Sequence, residues 1–196
     1  MQRLFNSAFV IAACVFLFGC AHPISMNPDL AKVAAPAGAK PIDKKVGYYL
    51  PDNLRTVEVT TPGGGGDKVR YFPYRDLESG FYKALSEVFS SVTKVPNPKD
   101  SEALKASGVS LLITPEITTT SFSDSVFTWP PTHFTVNLVC TVADANGAPL
   151  QTIRVSGQGG ASFGEFQGNF SLAATRASND ALSKLVQALG ESPQLK

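Results

Sequence analysis

Residues that carry catalytic or metal-binding chemistry are few in this chain, and charge of either sign is scarce. The 196 residues include 3 cysteines and 2 histidines, and 17% are Asp, Glu, Lys or Arg. Three cysteines are too few for a disulfide-built scaffold, and 43% hydrophobic content is too high for a disordered chain. The glycines and prolines show no triplet period, which excludes collagen. No apolar run after the N-terminus is long enough to cross a bilayer. These exclusions leave one globular domain of ordinary composition.

The first twenty residues carry the strongest pattern in the sequence. Arg3 precedes an unbroken apolar run from Ala8 to Phe18. A bilayer span needs about 20 apolar residues, so this run is too short to be one and is typical of a secretory signal. Leu17, Phe18, Gly19 and Cys20 follow one another at its end. An ordinary secretory signal with a chance cysteine is the alternative interpretation of these four residues.

The four residues from Leu17 to Cys20 resemble the lipobox of bacterial lipoproteins, although Phe18 departs from the small or aliphatic residue usual there. The resemblance implies that the Cys20 thiol is diacylglycerated, that residues 1–19 are a signal peptide removed before Cys20, and that the new amine is acylated, for instance with palmitate. Three acyl chains would anchor the protein effectively permanently. Ala21, in place of the Asp that retains enteric lipoproteins in the inner membrane, implies the periplasmic face of the outer membrane.

Removal of the signal leaves a chain with no net charge. Arg3 is lost with the signal, so 16 basic side chains face 16 acidic ones. A neutral chain gives no electrostatic reason to expect a nucleic-acid partner. Cys14 is also removed and Cys20 carries lipid, which leaves Cys140 alone. We expect Cys140 to be a small buried apolar residue without reactivity.

The mature chain divides by composition into three parts. Residues 20–43 contain several prolines and alanines without apolar periodicity, which predicts a lipidated N-terminus followed by a flexible tether. Residues 44–192 are expected to form a single domain. Residues 193–196 are expected to be a C-terminal tail.

Strand patterns dominate the predicted domain. Val46, Tyr48 and Leu50 alternate as in a strand. Two β-rich runs, 57–61 and 68–74, flank four glycines, which predicts a hairpin with a mobile tip. The clearest alternation runs from His133 to Val142, and the turn at 144–147 predicts a long antiparallel hairpin whose second strand ends irregularly among glycines at 157–168.

Two longer helices and one short one are predicted between and after these strands. Asp76 is a plausible N-cap for a helix whose apolar stripe extends to Val92. A short helical turn spans 101–107 and is closed by Gly108. An alanine-rich helix spans about 171–189, and its small residues permit close approach to a sheet. The predicted fold class is α+β, a two-layer sandwich in which two helices cover one face of a mostly antiparallel or mixed sheet.

Three motifs resemble functional sites, but in each case the surrounding residues do not fit the function. The glycine run at 63–66 lacks the adjacent Lys and Ser or Thr of a phosphate-binding loop. The G-x-S-x-G pattern around Ser162 needs a helix straight after the serine and a later histidine base, but the helix starts several residues late and no histidine follows Ser162. His133 and Cys140 point to opposite faces of one strand and cannot supply a zinc site. The sequence therefore predicts no enzyme, no metal site and no cofactor.

The segment from Phe122 to Phe134 is the most unusual in the chain. It contains the single tryptophan, three phenylalanines and a Pro-Pro pair between two strands. One interpretation is a long loop that folds its aromatic side chains onto the edge of the sheet. The other is a rigid projection that docks a protein or an acyl chain, since aromatic residues are enriched at such contacts. Phe127, Trp129 and His133 are the candidate partner-binding residues.

The lipobox, the tether and the pattern of elements together resemble small bacterial outer-membrane lipoproteins. Families of this kind are the YajG-type proteins, the lipopolysaccharide-assembly lipoprotein LptE and the auxiliary lipoproteins of ABC-type lipid transporters. The resemblance implies a non-catalytic envelope component, namely a membrane-tethered subunit that binds or assembles an envelope protein. Two alternatives stay open: a lipid-binding auxiliary protein with an apolar cavity between helices and sheet, and an envelope hydrolase that uses Ser162 or His133.

Overall fold

The computed structural model describes residues 21–166 and 168–196, which form two β-sheets and four α-helices. The strands are β1 Ala21–Pro23, β2 Ile42–Tyr48, β3 Val59–Pro62, β4 Lys68–Tyr71, β5 Phe89–Lys94, β6 Leu111–Phe122, β7 His133–Asp144 and β8 Pro149–Gly160. The helices are α1 Asp52–Arg55, α2 Pro73–Val88, α3 Ser101–Ala106 and α4 Leu172–Glu191.

The larger sheet has five strands in the order β5-β2-β6-β7-β8. The pairs β5-β2 and β2-β6 are parallel, whereas β6-β7 and β7-β8 are antiparallel, so the sheet is mixed. Along β7, Phe134, Val136, Leu138 and Cys140 are buried while the residues between them are not. This alternation puts one face of the sheet in the core and leaves the other polar, as the sequence predicts.

Helices α2 and α4 cover the apolar face of this sheet. α4 lies against β7 and β8, and α2 lies beside it against β2 and β6. A Cβ on Gly157 would overlap the backbone of Ala177 and Ala181, so the glycines of β8 let the alanine stripe of α4 approach closely. The predicted α+β sandwich with two helices on one face is confirmed. The glycines at 157–160 belong to a regular strand, so the expected twisted or irregular end begins only after Gly160.

The smaller sheet has three strands in the order β1-β4-β3 and was not expected as a separate sheet. It packs on the helix-covered side at the end of β6. The Tyr71 hydroxyl of β4 lies 2.7 Å from Thr119 Oγ1, and the Tyr71 ring meets Phe134 edge-on at 5.2 Å. The predicted hairpin is therefore present as β3 and β4, but it belongs to a sheet that also includes β1.

The bounds of α2 differ from the prediction at both ends. The helix begins at Pro73, where a proline needs no hydrogen-bond acceptor for its nitrogen. Asp76 is buried in the first turns and is not the N-cap. Phe89 and Val92, which continue the helical spacing, lie in β5 and pair with β2. Pairing in parallel with a distant strand outweighs the local periodicity here.

The structure contradicts the flexible tether expected at residues 20–43 for the part that it describes. β1 pairs in parallel with β4, and residues 24–35 then run over the groove between α2 and α4. Met26 and Val33 are fully buried. The Met26 N–H donates to Asp76 Oδ2, and the Asp29 N–H donates to Asn179 Oδ1. The prediction is wrong because isolated apolar residues among prolines can anchor a segment without any periodic pattern.

The C-terminal residues also pack on the domain. Pro193–Leu195 forms a short 3-10 turn, and Leu195 is fully buried in the main core. The C-terminal tail expected at 193–196 is therefore packed against the domain.

Candidate functional site

The loop between β6 and β7 is held by hydrogen bonds and by the glycine-rich tip of the β3-β4 hairpin. The Asp124 N–H donates to Thr132 Oγ1, and the Ala161 N–H donates to the Thr132 carbonyl. The Gly64 N–H donates to the Trp129 carbonyl at 3.0 Å. A Cβ on Gly64 would lie 2.7 Å from the Ser125 carbonyl oxygen, so only glycine permits this approach. The tip that was expected to be mobile thus packs against the loop.

Trp129 is half-buried between residues from two distant parts of the chain. The His22 ring of β1 stacks on the indole with ring centroids 4.3 Å apart. The Phe170 ring lies 4.9 Å away on a tilted plane. His22 Nε2 also lies 3.7 Å from Asp67 Oδ1. Trp129 therefore links the loop between β6 and β7 to the start of the described chain and to the segment before α4.

Large apolar side chains around Trp129 are exposed to an unusual degree. Phe127 is 94% exposed, Val126 is 71% exposed and Phe163 is 69% exposed. A shallow cavity of about 280 Å³ lies among Phe127, Trp129, Phe163 and Phe170. We call these four residues the aromatic surface. Exposed apolar groups gathered in one place are typical of a contact site rather than of a packed core.

His133 does not belong to the aromatic surface. Its Nε2 lies 2.6 Å from Asp124 Oδ2, and its ring stacks on Phe122 with centroids 4.5 Å apart. This pair stands at the start of β7 on the side of the sheet away from the helices. Of the three predicted partner-binding residues, the structure brings Phe127 and Trp129 together and places His133 apart.

His22, Phe163 and Phe170 are the members of this region that sequence reasoning missed. Phe163 and Phe170 lie in the segment between β8 and α4, for which the sequence predicts only an irregular end. Three phenylalanines, at 163, 166 and 170, in a glycine-rich segment were the available signal. His22 gave none, because its stacking on Trp129 depends on the parallel pairing of β1 with β4.

Acidic groups beside the aromatic surface have basic partners. Glu165 Oε1 accepts a hydrogen bond from the Arg176 guanidinium at 2.7 Å, and Glu165 Oε2 accepts from the Ser162 N–H and hydroxyl. The Arg176 bond, followed by those from Ser162, lowers the pKa of Glu165 to about 2. Arg176 also donates to the Gly160 carbonyl, so this pair fixes the turn that carries Phe163 to the end of β8.

The two residues named for a hydrolase occupy separate hydrogen-bonded settings. The Ser162 hydroxyl donates to Glu165 and forms a capping box for the turn Phe163–Glu165. The His133 imidazole is paired with Asp124 instead. Within the described residues, no cluster of three or more His, Cys, Asp or Glu side chains is arranged to hold a metal ion. Cys140 is fully buried, and desolvation raises its pKa to about 12, so the thiolate nucleophile does not form near neutral pH.

The space between the helices and the large sheet is filled by side chains. Phe81 and Leu85 of α2 and Leu182 and Leu185 of α4 are buried there. A cavity of about 300 Å³ lies outside this core, between the C-terminal ends of α2 and α4 and residues 35–42. This cavity lies outside the core, whereas the lipid-binding alternative expects a cavity between the helices and the sheet.

Cys20, the expected lipidation site, lies outside the described residues, as does the expected signal peptide at residues 1–19. Among residues 21–166 and 168–196, no helix combines the length and apolarity that a membrane crossing requires.

Comparison with solved structures finds a similar fold at low sequence identity. A crystal structure of a Xanthomonas campestris protein of family DUF330 has a TM-score of 0.50 and 8% identity, and the alignment covers 88% of this chain and 92% of that one. This likeness shows a shared fold alone. No protein-family model matches the chain, and no curated protein matches its sequence.

Two further structures align at lower scores. The PelC dodecamer of Paraburkholderia phytofirmans has a TM-score of 0.49 and 13% identity over 81% of this chain and 94% of that one. A candidate lipoprotein of Caulobacter crescentus has a TM-score of 0.35 and 14% identity over 70% of this chain and 89% of that one. These two similarities are too low to support an argument about this chain.

Proposed function

We propose that this chain is a non-catalytic lipoprotein of the bacterial envelope that acts as a membrane-attached binding or assembly subunit. Cys20 carries the acyl chains, and the domain stands at the periplasmic face of the outer membrane. The observation that carries the membrane attachment in this proposal is the gathering of exposed aromatic side chains, Phe127 and Phe163 above all, beside the start of the described chain. Such a surface has the chemistry of a contact site.

The lipid anchor is tested by replacing one atom. Cys20→Ser exchanges the sulfur for an oxygen that the acylation chemistry of lipoproteins does not use. We expect the wild-type chain to incorporate labelled palmitate and to remain with washed membranes, and the variant to do neither. A Cys20→Ser chain that stays wholly with washed, detergent-free membranes contradicts the anchor. Cys14→Ser, within the removed signal, is the matched control and leaves both properties unchanged.

The binding role is tested in crosslinked envelopes. A membrane-attached subunit should bring down one envelope protein in constant proportion from crosslinked, washed membranes. The Cys20→Ser chain should lose that partner because it no longer lies at the same surface. Recovery of nothing beyond the proteins that any lipoprotein captures contradicts the binding role and leaves the anchor intact.

A further inference from the structure

Strand pairing and ring stacking hold the first described residues beside the aromatic surface. Ala21 and Pro23 are in register with Lys68 and Arg70 of β4, and the Ile24 N–H donates to the Arg70 carbonyl. The His22 ring stacks on Trp129. Cys20 precedes His22 by two residues, so their Cα atoms are at most about 7 Å apart. Any acyl group on Cys20 is therefore attached within two residues of the ring that stacks on Trp129.

The aromatic surface has the composition of a membrane-interface contact. Phe127 and Phe163 project with most of their area exposed, and Trp129 lines the same shallow cavity with the His22 ring stacked on its indole. Trp is enriched where hydrocarbon meets lipid headgroups, and Phe is common on surfaces that insert at that level. Of the nearby carboxylates, Glu165 is paired with the Arg176 guanidinium, and Asp67 Oδ1 lies 3.7 Å from His22 Nε2. Glu165 would therefore keep a cationic partner when this surface is buried in the interface.

We propose that the aromatic surface lies against the same bilayer that holds the Cys20 acyl chains, with Phe127 inserted at the level of the headgroups. The proposal rests on the lipid anchor proposed above and assigns the occupant of the surface. A bilayer is favoured over a protein because the attachment point is within about 7 Å of His22 and therefore brings lipid to Trp129. The domain then rests on the membrane in one orientation instead of swinging on a tether.

Trp129 reports on this contact directly, since it is the single tryptophan of the chain. The acylated protein is placed in phosphatidylethanolamine–phosphatidylglycerol vesicles, with and without lipids brominated near the headgroup. We expect the brominated lipids to quench most of the Trp129 emission. Emission that is equal in the two kinds of vesicle, from protein shown to be acylated and vesicle-bound, overturns the proposal.

Substitution of Phe127 tests the contact without disturbing the fold, because this side chain makes almost no packing contacts. Loss of one inserted phenylalanine weakens the docked state about tenfold, which lowers a docked fraction of nine-tenths to roughly a half. Phe127→Ser should therefore lose close to half of the quenching. Leu150→Ser is the matched control, since Leu150 is also exposed. It lies at the start of β8, about 35 Å along the strand from the end that adjoins the aromatic surface. Equal quenching in Phe127→Ser and in the wild type overturns the proposal.

Two results separate the failure of this inference from the failure of the anchor. A mature chain whose mass shows no acyl groups contradicts the anchor, and the membrane docking falls with it. An acylated chain that keeps its place on vesicles but crosslinks from position 127 to a protein instead of to lipid overturns the docking alone. The lipoprotein assignment then stands, and the aromatic surface belongs to a protein partner.

Discussion

At the scale of single residues, glycines decide how closely α4 approaches β8. An added Cβ on Gly157 would overlap backbone atoms of Ala177 and Ala181, and one on Gly159 would overlap backbone atoms of Ala173 and Ala177. Backbone atoms cannot rotate away as a side chain can. The helix and strand would have to separate, and the contacts of the alanine stripe with the sheet would be lost.

Gly157→Ala should therefore destabilise the protein by about 1–3 kcal/mol through overpacking. Urea unfolding of the mature Cys20→Ser chain, followed by circular dichroism, measures this change. Gly160→Ala, in the same strand, is the control, because the nearest atom to its added Cβ is the Thr132 carbonyl oxygen at 3.8 Å. Comparable losses in the two variants would show that strand propensity, and not the approach of α4, governs these positions.

A second residue-scale effect concerns the pH dependence of the Glu165–Arg176 pair. The pKa of Glu165 is lowered from 4.5 to about 2 by Arg176 and then by Ser162. The carboxylate is therefore favoured by folding, and its contribution to stability is fully present above about pH 4.5 and is lost as the pH falls toward 2. This exposed contribution should also decrease at high salt.

Glu165→Gln should lower the melting temperature at pH 7 and have almost no effect near pH 2. Melting curves of variant and wild type across this range measure the difference. Arg176→Gln should raise the pKa of Glu165 toward 4.5, which a carboxyl-carbon NMR titration reports directly. A Glu165 midpoint near 4.5 in the wild-type protein would contradict the hydrogen bonds described here.

At the scale of elements, sequence periodicity predicts the strands and helices that have one face buried and the other face open to solvent. β7 has a buried face and an open face, and its alternation identifies it unambiguously. The end of α2 is different, because Phe89 and Val92 fit a helical stripe equally well. They lie in β5 because this segment pairs in parallel with β2, a strand that is distant in the sequence and adjacent only in the fold. Contacts of this kind leave no local pattern to detect.

The edge of β8 shows how one element protects another. Asp180 of α4 accepts a hydrogen bond from the Gln158 N–H, and Lys184 donates to the Ser156 carbonyl. Side chains of α4 thus occupy backbone groups at an edge that could otherwise pair with a strand of another molecule. β8 is twelve residues long, so an uncovered edge would be a substantial template.

We expect the double variant Asp180→Ala, Lys184→Ala to remain folded and to self-associate at concentrations where the wild type does not. Sedimentation velocity and light scattering of the Cys20→Ser chain measure this. The control is the double variant Gln187→Ala, Glu191→Ala. These two residues have the same spacing on the same helix, but they hydrogen-bond to each other and not to a strand. Self-association of both double variants would point to a general loss of surface charge instead.

At the scale of the whole molecule, the candidate site could be predicted from sequence only in part. Phe127 and Trp129 stand out because aromatic residues and prolines are concentrated between two strands. Phe163 and Phe170 reach the same surface through the return of β8 beside β7, and His22 reaches it through β1. The composition of one segment is visible in a sequence, but the convergence of three segments depends on the completed fold.

The same limit explains why the sequence of residues 20–43 predicts a tether. The segment has apolar residues at Ile24, Met26 and Val33, with spacings that match neither a strand nor a helix. In the fold these side chains enter the core at separate points while the intervening backbone bonds to side chains of α2 and α4. The segment is therefore part of the domain, and the proposed anchor is coupled rigidly to the remainder of the molecule.

Met26→Ala tests this coupling at the level of stability. Met26 is fully buried, so truncation should reduce the free energy of unfolding by about 2–5 kcal/mol. Leu30→Ala, four residues later in the same segment, removes an exposed side chain and should change it by less than about 0.5 kcal/mol. Urea unfolding of both variants in the mature Cys20→Ser chain gives the comparison. A free tether would make both substitutions neutral. An unchanged unfolding midpoint for Met26→Ala would therefore show that the segment is not packed on the domain. The domain could then not keep one fixed orientation on the membrane.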